Sequence, residues 1–141
     1  MRARSTERVR LELTRRGDYA IRAMLHLARA EDVTLSAPAI AAAARIPARF
    51  MGQVMGDLAR AGLVNGQIGR RGGYRLAKPA TQISLLDIVE AVEGDTRRRT
   101  CVLSEGACSF ERACDVHEYF ASAQDALISR LSQATLAAAA A

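Results

Sequence analysis

The sequence predicts a mainly α-helical fold with one small β-hairpin and a long C-terminal helix. Three observations carry this prediction. Two short helix-forming stretches meet at a tight break over 45–47, a turn rich in glycine and arginine separates two short β-prone pieces within 63–76, and apolar residues repeat at helical spacing near the C-terminus. With 141 residues, 50% of them hydrophobic, the chain can bury the core of one ordinary domain.

The first helix is expected over 18–30. It follows an arginine-rich segment, 1–12, which lacks apolar periodicity and is expected to be a mobile arm. The apolar residues of the helix recur three and four positions apart, which places them on one face. They are Ile21, Met24, Leu25 and Ala28.

The next two helices are separated by a very short break. Ser36 supplies a capping hydroxyl and Pro38 an early proline before an alanine-rich run that ends at Ala44. Pro47 then predicts the start of a further helix. The inward stripe of that helix comprises Met51, Val54, Met55 and Leu58. Such a pair fits a helix-turn-helix, and it also fits a plain helical hairpin in a bundle.

A predicted β-hairpin follows this pair. Leu63–Val64 and Tyr74–Leu76 are β-prone, and the stretch 65–73 between them holds four glycines and two arginines. Glycines supply the positive φ values that tight turns require. A helix-turn-helix followed by a basic hairpin makes a winged helix-turn-helix, so the predicted fold class is a winged helix-turn-helix plus a long C-terminal helix.

Positive charge is concentrated in this part of the chain. From Arg45 to Lys78 there are six arginines and one lysine against a single acid, Asp57, whereas from Cys101 to the end five acids face two bases. A segregated basic surface favours a phosphate-bearing partner, and with this fold the partner is double-stranded DNA. The alternative for each single arginine is a solvated side chain without a partner.

The predicted DNA-binding residues lie on the second helix of the pair and on the hairpin. Arg49 and Gln53, one turn apart, are the expected base readers, because arginine pairs with guanine and glutamine with adenine. Arg70 and Arg71 are expected mainly to hold phosphates. The full predicted set is Arg49, Phe50, Gln53, Arg70, Arg71, Gly72, Gly73 and Tyr74.

A short helix is predicted over 84–92, with Ser84 and Asp87 as a capping box and Gly94 as its end. A long helix is then predicted from near Cys114 to the C-terminus. Its apolar stripe is Val116, Phe120, Ala123, Leu127, Leu131 and Ala134. This stripe is too long for one small domain to cover, which predicts a homodimer.

The three cysteines of the chain, Cys101, Cys108 and Cys114, form a C-x6-C-x5-C pattern followed by His117. Thiolates this close in sequence can converge on one soft centre, so a metal or iron–sulphur site is predicted. A zinc site is an alternative, although the chain has no C-x2-C pair. A cluster-free thiol sensor that forms a disulfide is another.

Several function classes are disfavoured. The sequence has no membrane-length apolar run and no signal peptide, so a cytoplasmic protein without a membrane partner is expected. Because a phosphate loop, a nucleophile elbow and paired carboxylates are missing, neither an enzyme nor a small-molecule substrate is expected. The predicted organisation is the arm at 1–12, the DNA-binding region at 13–80, and a cluster-binding loop with the dimerisation helix at 81–141.

Five features in order resemble the IscR/NsrR family of winged-helix transcription regulators, also called the Rrf-two superfamily. They are Leu13–Met24 (LTRRGDYAIRAM), Arg60–Val64 (RAGLV), Gly72-Gly73-Tyr74, the helix Ser84–Gly94 and the three-cysteine loop. The resemblance covers about Leu13 to Leu136. It implies a homodimer on a pseudo-palindromic operator, with a 2Fe–2S or 4Fe–4S cluster held in each subunit by the three cysteines and a fourth ligand.

The resemblance offers two fourth ligands. His117 matches the histidine of the cluster-assembly regulators, and Asp18 matches the aspartate that the other subunit donates in the nitric-oxide sensors. His117 is favoured, because its spacing from Cys114 puts both on one helical face. The expected mechanism is that cluster loss releases the loop 95–113 and changes the spacing of the two DNA-binding heads, and so the operator affinity.

The chain departs from the family pattern at three places. The first cysteine interval holds six residues where relatives usually have five, Gly52 replaces a glutamate of the cluster-assembly regulators, and Ile68 replaces an arginine often found in the wing. The resemblance therefore implies neither a particular cluster type nor the operator of a known relative.

Overall fold

The computed structural model describes residues 14–94 and 115–141. In chain order, the elements of these two ranges are α1 Arg15–Arg29, α2 Ala37–Ala44, α3 Ala48–Arg60, β1 Val64–Gln67, β2 Gly73–Leu76, a 3-10 turn Ala80–Gln82, α4 Leu85–Glu93, α5 His117–Gln133 and α6 Leu136–Ala140. The predicted N-terminal arm, the three cysteines and the loop 95–113 lie outside the described residues.

Helix α1 begins three residues earlier than its apolar spacing predicts. The Thr14 hydroxyl accepts a hydrogen bond from the Gly17 backbone N–H at 3.2 Å and so caps the helix. The first two turns then bury Gly17 and Ala20 in the core, where small residues allow close packing. A cap and small buried residues, rather than the stripe of large side chains, set this boundary.

Helices α2 and α3 form the predicted pair with the predicted break. Ser36 caps α2 by accepting from the Ala39 N–H at 3.2 Å, and α2 ends at Arg45 in the left-handed conformation, with φ 55° and ψ 46°. Ile46 is buried, and α3 starts directly after Pro47. All four stripe residues of α3 are buried, as predicted: Met51, Val54, Met55 and Leu58.

The hairpin is longer than predicted on its first side. Strand β1 extends to Gln67, through residues expected to be turn, because Asn65, Gly66 and Gln67 each pair with a residue of β2 in an antiparallel register. Leu35 adds a bridge to Tyr74 on the other side of β2, with backbone N–O distances of 2.9 and 2.7 Å. The wing is thus tied to the segment that leads into α2.

The prediction of one helix running to the C-terminus is wrong. Helix α5 ends at Gln133, and Thr135 pairs with Ser84 before α6 begins. The backbone bonds Leu85 N–H to Ala134 O, at 2.9 Å, and Leu136 N–H to Ile83 O, at 2.7 Å, take the place of helical bonds there. Leu136 is fully buried, so the chain breaks the helix to place this side chain in the core.

Helix α1 lies at the centre of the packing and contacts α2, α3, α4 and α6. The capping box predicted for α4 is confirmed, because Ser84 Oγ accepts from the Asp87 N–H at 3.0 Å and Asp87 accepts from the Ser84 N–H at 2.9 Å. Helix α4 also packs on α3 and α5. Within 14–94 and 115–141, no helix is long and apolar enough to cross a membrane.

Candidate nucleic-acid interface and cluster ligands

The exposed face of α3 carries the two predicted base readers. Arg49 and Gln53 are both exposed, four residues apart, and the opposite face of the helix is buried in the core. Gly52 lies between them, and nothing approaches within 4 Å of the position its Cβ would occupy. This end of α3 is therefore free to enter a groove, with side chains long enough to reach base edges.

An aromatic pair, Tyr19 and Phe50, lies on the protein side of this end of α3. The rings of Tyr19, on α1, and Phe50 lie 5.3 Å apart. The Arg49 guanidinium stacks over the Phe50 ring at 4.9 Å, and the Arg22 guanidinium lies 6.0 Å from the centre of the Tyr19 ring. Phe50 is half-buried and packs against the core, with its ring against the Arg49 guanidinium, and its contact with DNA stays a prediction.

The wing exposes its tip and uses glycines to shape it. Ile68, Arg70 and Arg71 are exposed, and the turn closes with a 2.9 Å bond from the Gly72 N–H to Gly69 O. A Cβ on Gly72 would lie 2.4 Å from the Gln67 carbonyl oxygen. This contact is impossible, so the backbone demands glycine there.

Gly73 and Tyr74 likewise have structural roles in the wing. Gly73 has φ +152°, and a Cβ there would lie 2.3 Å from Leu35 O. The half-buried Tyr74 ring packs over Gly66, where a Cβ would meet it at 3.1 Å. These residues build the surface on which the two arginines stand, and their contact with DNA remains a prediction.

The two candidate fourth ligands have different surroundings. The Asp18 carboxylate pairs with Arg22 at 2.6 and 3.0 Å, with both side chains 44% exposed. His117 is the first residue of α5 and is half-buried. Among the described residues, no three His, Cys, Asp or Glu side chains gather as metal ligands, and the cysteines are outside those residues. An exposed ion pair of this kind contributes less than about 1 kcal/mol, so it presents only a small barrier to a metal bond.

Contacts that sequence reasoning missed join the start of α1 to the end of α4. Thr14 donates to the Glu93 carboxylate through its N–H, at 2.9 Å, and through its hydroxyl. The Arg16 guanidinium donates to the Val92 carbonyl at 2.7 Å. Residues separated by almost 80 positions give no local signal, so only the fold brings them together. They tie the helix of Asp18 to the residues that immediately precede the cysteine segment.

Comparisons with known proteins agree with this architecture. The family model Rrf2, described as an iron-dependent transcriptional regulator, matches residues 13–141. Over 85 residues the chain is 36% identical to a Mycobacterium tuberculosis protein whose name assigns it to the HTH-type transcriptional regulators. That match covers 60% of this chain and 53% of the relative, so the chain spans about half the length of that relative.

Two solved structures extend the likeness over nearly the whole chain. CymR (YrzC), the global cysteine regulator of B. subtilis, matches with a TM-score of 0.79 at 25% identity, covering 93% of this chain and 97% of that one. The T. potens IscR matches with a TM-score of 0.73 at 25% identity, covering 91% and 85%. The predicted fold class, mainly α with a hairpin wing, is confirmed.

Proposed function

This chain belongs to the Rrf2 family of transcriptional regulators, and from that premise we propose that it binds operator DNA as a homodimer under the control of an iron–sulphur cluster. The family resemblance seen in the sequence is thereby confirmed. Members are regulators and not enzymes, in agreement with the prediction for this chain. The proposal includes a cytoplasmic location, where thiols stay reduced.

The observation that carries the DNA-binding part is the pairing of an exposed α3 face with an arginine-tipped wing. Arg49 and Gln53 stand where a recognition helix presents base-reading side chains. Arg70 and Arg71 stand at the end of a glycine-shaped hairpin. The two features together offer base contacts and phosphate contacts, which is the division of labour that sequence-specific binding needs.

Helix α5 supports the homodimer. None of its 17 residues is buried, and it exposes apolar side chains, with Tyr119 at 77% and Leu127 at 45%. Among the described residues, α4 packs on this helix but leaves these side chains exposed. A second copy that packs its own α5 against it would bury these side chains and would set two recognition helices on one duplex.

The donor set fits a cluster. Three thiolates with one imidazole or carboxylate are ligands that iron–sulphur clusters accept. We propose Cys101, Cys108, Cys114 and His117 as the set in one subunit, because His117 is half-buried three positions after Cys114, whereas Asp18 lies on α1 with its side chain 44% exposed. When bound, the cluster would supply a centre that nitric oxide, oxygen or iron starvation destroys.

The described residues also offer a route from that site to the DNA-binding surface. The cysteine segment joins α4 to α5, and α4 packs on both α1 and α3. The Thr14–Glu93 and Arg16–Val92 contacts fix the end of α4 to α1, and Tyr19 on α1 stacks on Phe50 beneath Arg49. A displacement of the end of α4 would therefore shift α3 in two ways: directly, through the α3–α4 contact, and through α1 at the end of α3 that carries Arg49.

The test is anaerobic purification followed by iron and sulphide analysis of wild type, Asp18→Ala and His117→Ala. We expect a brown wild-type protein with visible absorption, cluster loss in His117→Ala and cluster retention in Asp18→Ala. Operator affinity, on duplexes selected from a random pool, should change in Cys108→Ala. A Cys108→Ala variant with wild-type operator affinity under anaerobic conditions would show that the cluster does not control DNA binding.

The likeness to CymR, the global cysteine regulator of B. subtilis, supports a second candidate. In this second candidate function, the three cysteines of this chain hold no cluster and act as thiols that form a disulfide on oxidation. A colourless protein without metal, whose mobility on a non-reducing gel shifts after oxidation, would favour this candidate. A colourless protein that contains zinc would favour a zinc site instead.

A further inference from the structure

A basic cleft outside the recognition helix and the wing lies between α1 and the end of α2. It has a volume of about 270 Å³ and is lined by Arg22, His26, Arg29 and Arg45, with small or apolar residues between them. We propose that this basic cleft binds a phosphate of the DNA backbone. The proposal rests on the proposed DNA-binding function and adds a contact that neither α3 nor the wing supplies.

Two local features bring these side chains together. Arg22, His26 and Arg29 are spaced by four and three residues, which places them on one face of α1. Arg45 joins them because the left-handed turn that ends α2 directs the chain back over that face. This conformation is strained for an arginine, since residues other than glycine, asparagine and aspartate rarely adopt it.

The cleft keeps its positive charge. No Asp or Glu is among the described residues that line it. Asp18 neutralises part of Arg22 at the rim, and Arg29 uses its Nε–H on the Ala140 carbonyl at 3.2 Å. A guanidinium has five N–H donors, so Arg29 retains four, and the described part of the chain shows no ion pair for Arg45. Arg45 and Arg29 are thus available for an anion.

The cleft adjoins the reading end of α3. Arg45 precedes Arg49 by four residues, across the turn between the two helices. On the other wall, Arg22 lies against Tyr19, which stacks on Phe50 beneath Arg49. A duplex that places its bases against Arg49 therefore brings its backbone toward the cleft.

A backbone phosphate fits this cleft better than a free anion. All three arginines that line it are exposed, so water competes for them and a small ion would have to give up its translational freedom for contacts that are weak in water. A phosphate in a docked duplex has already lost that freedom, because other contacts hold the duplex in place. The cleft then adds affinity without adding base specificity.

The test measures DNA affinity against salt concentration for Arg45→Asn and Arg29→Gln. Asparagine tolerates the left-handed conformation, and glutamine keeps an N–H donor for Ala140 O, so both variants should fold. Arg130→Gln, on α5, is the control that removes one charge elsewhere, and it serves as the control at protein concentrations where sedimentation velocity shows it to be a dimer like wild type. We expect each cleft variant to weaken binding about threefold to tenfold and to reduce the salt slope by about one, on the selected operator and on an unrelated duplex alike.

A second arm locates the phosphate. Single methylphosphonate substitutions in the operator remove one backbone charge at a time. One position should weaken wild type but leave Arg45→Asn unchanged. Absence of any such position, an unchanged salt slope in both cleft variants, or an equal loss in dimeric Arg130→Gln would overturn the proposal.

Titration with inorganic phosphate alone tests the remaining possibility, that the cleft binds a free anion and not the DNA backbone. Tight binding that Arg45→Asn abolishes, with no change in the DNA salt slope, would assign the cleft to a free anion and overturn the backbone contact. If wild type binds all duplexes equally, sequence-specific operator recognition fails, while the slope on the unrelated duplex still decides the cleft. The two failures are therefore distinguishable.

Discussion

The head, which we define as α1–α4 with the hairpin, and helix α5 differ in how much of their apolar surface the described residues bury. Each helix of the head buries residues in a shared core, whereas α5 buries none. Hydrophobic burial is the main term that holds a domain together. The head, with Leu136 of α6 in its core, is therefore held together by hydrophobic burial among the described residues, whereas no residue of α5 is buried there.

The largest expected difference between the head and α5 is in the stability lost when one leucine of each is truncated to alanine. Leu58→Ala in α3 removes a fully buried side chain and should lower the free energy of unfolding by about 2–5 kcal/mol. Leu127→Ala in α5 removes a side chain that is 45% exposed, and at low protein concentration it should cost less than about 1 kcal/mol. Urea unfolding measures both. Equal losses would mean that α5 belongs to the same core.

The next effect concerns association. Leu127→Glu should raise the dissociation constant of the homodimer about 100-fold, because a carboxylate would be buried in an apolar interface without a partner. Ser122→Glu adds the same charge on another face of α5 and is the control. Sedimentation velocity should show monomers for the first variant and dimers for the second. Dimers for both would remove α5 from the interface.

The head exposes a large apolar residue at the tip of the wing, Ile68, which we expect DNA to cover and not protein. Ile68→Arg should therefore strengthen binding to a duplex about threefold to tenfold and steepen the salt slope by about one, because the added guanidinium can neutralise one more backbone phosphate. Its sedimentation should stay that of wild type. Weaker DNA binding, or a change in association, would show that the tip faces something else.

What the sequence predicted well in the head were features encoded within a few residues. Ser36, Ser84 with Asp87, and the stripe of α3 are local signals, and the structure contains each of them. A cap needs only its own helix, and an apolar stripe needs only the period of the helix. The order of helices and the wing followed from these signals.

What the sequence could not predict depends on contacts between distant residues. The break before α6 exists because Thr135 pairs with Ser84, and β1 extends to Gln67 because β2 is opposite it. The Tyr19–Phe50 stack and the Thr14–Glu93 bonds likewise join separate elements. For the candidate site, Arg49, Gln53 and the wing arginines could be chosen from charge and position, whereas the basic cleft required α1 and α2 to be packed.

The smallest expected effect lies at the joint between the head and α5. Ser84 caps α4 with its hydroxyl and lies opposite Thr135 in a bridge whose backbone hydrogen bonds are made by the residues on either side. Ser84→Ala removes only the cap and should lower the free energy of unfolding by about 1 kcal/mol. Asp87→Asn keeps an oxygen that can accept from the Ser84 N–H and should cost less. Because the backbone pairing survives in both variants, the dissociation constant of the dimer should change less than about twofold, which sedimentation equilibrium can measure. A larger change would mean that the α4 cap also sets the direction of α5, and that the head and α5 are coupled through this joint.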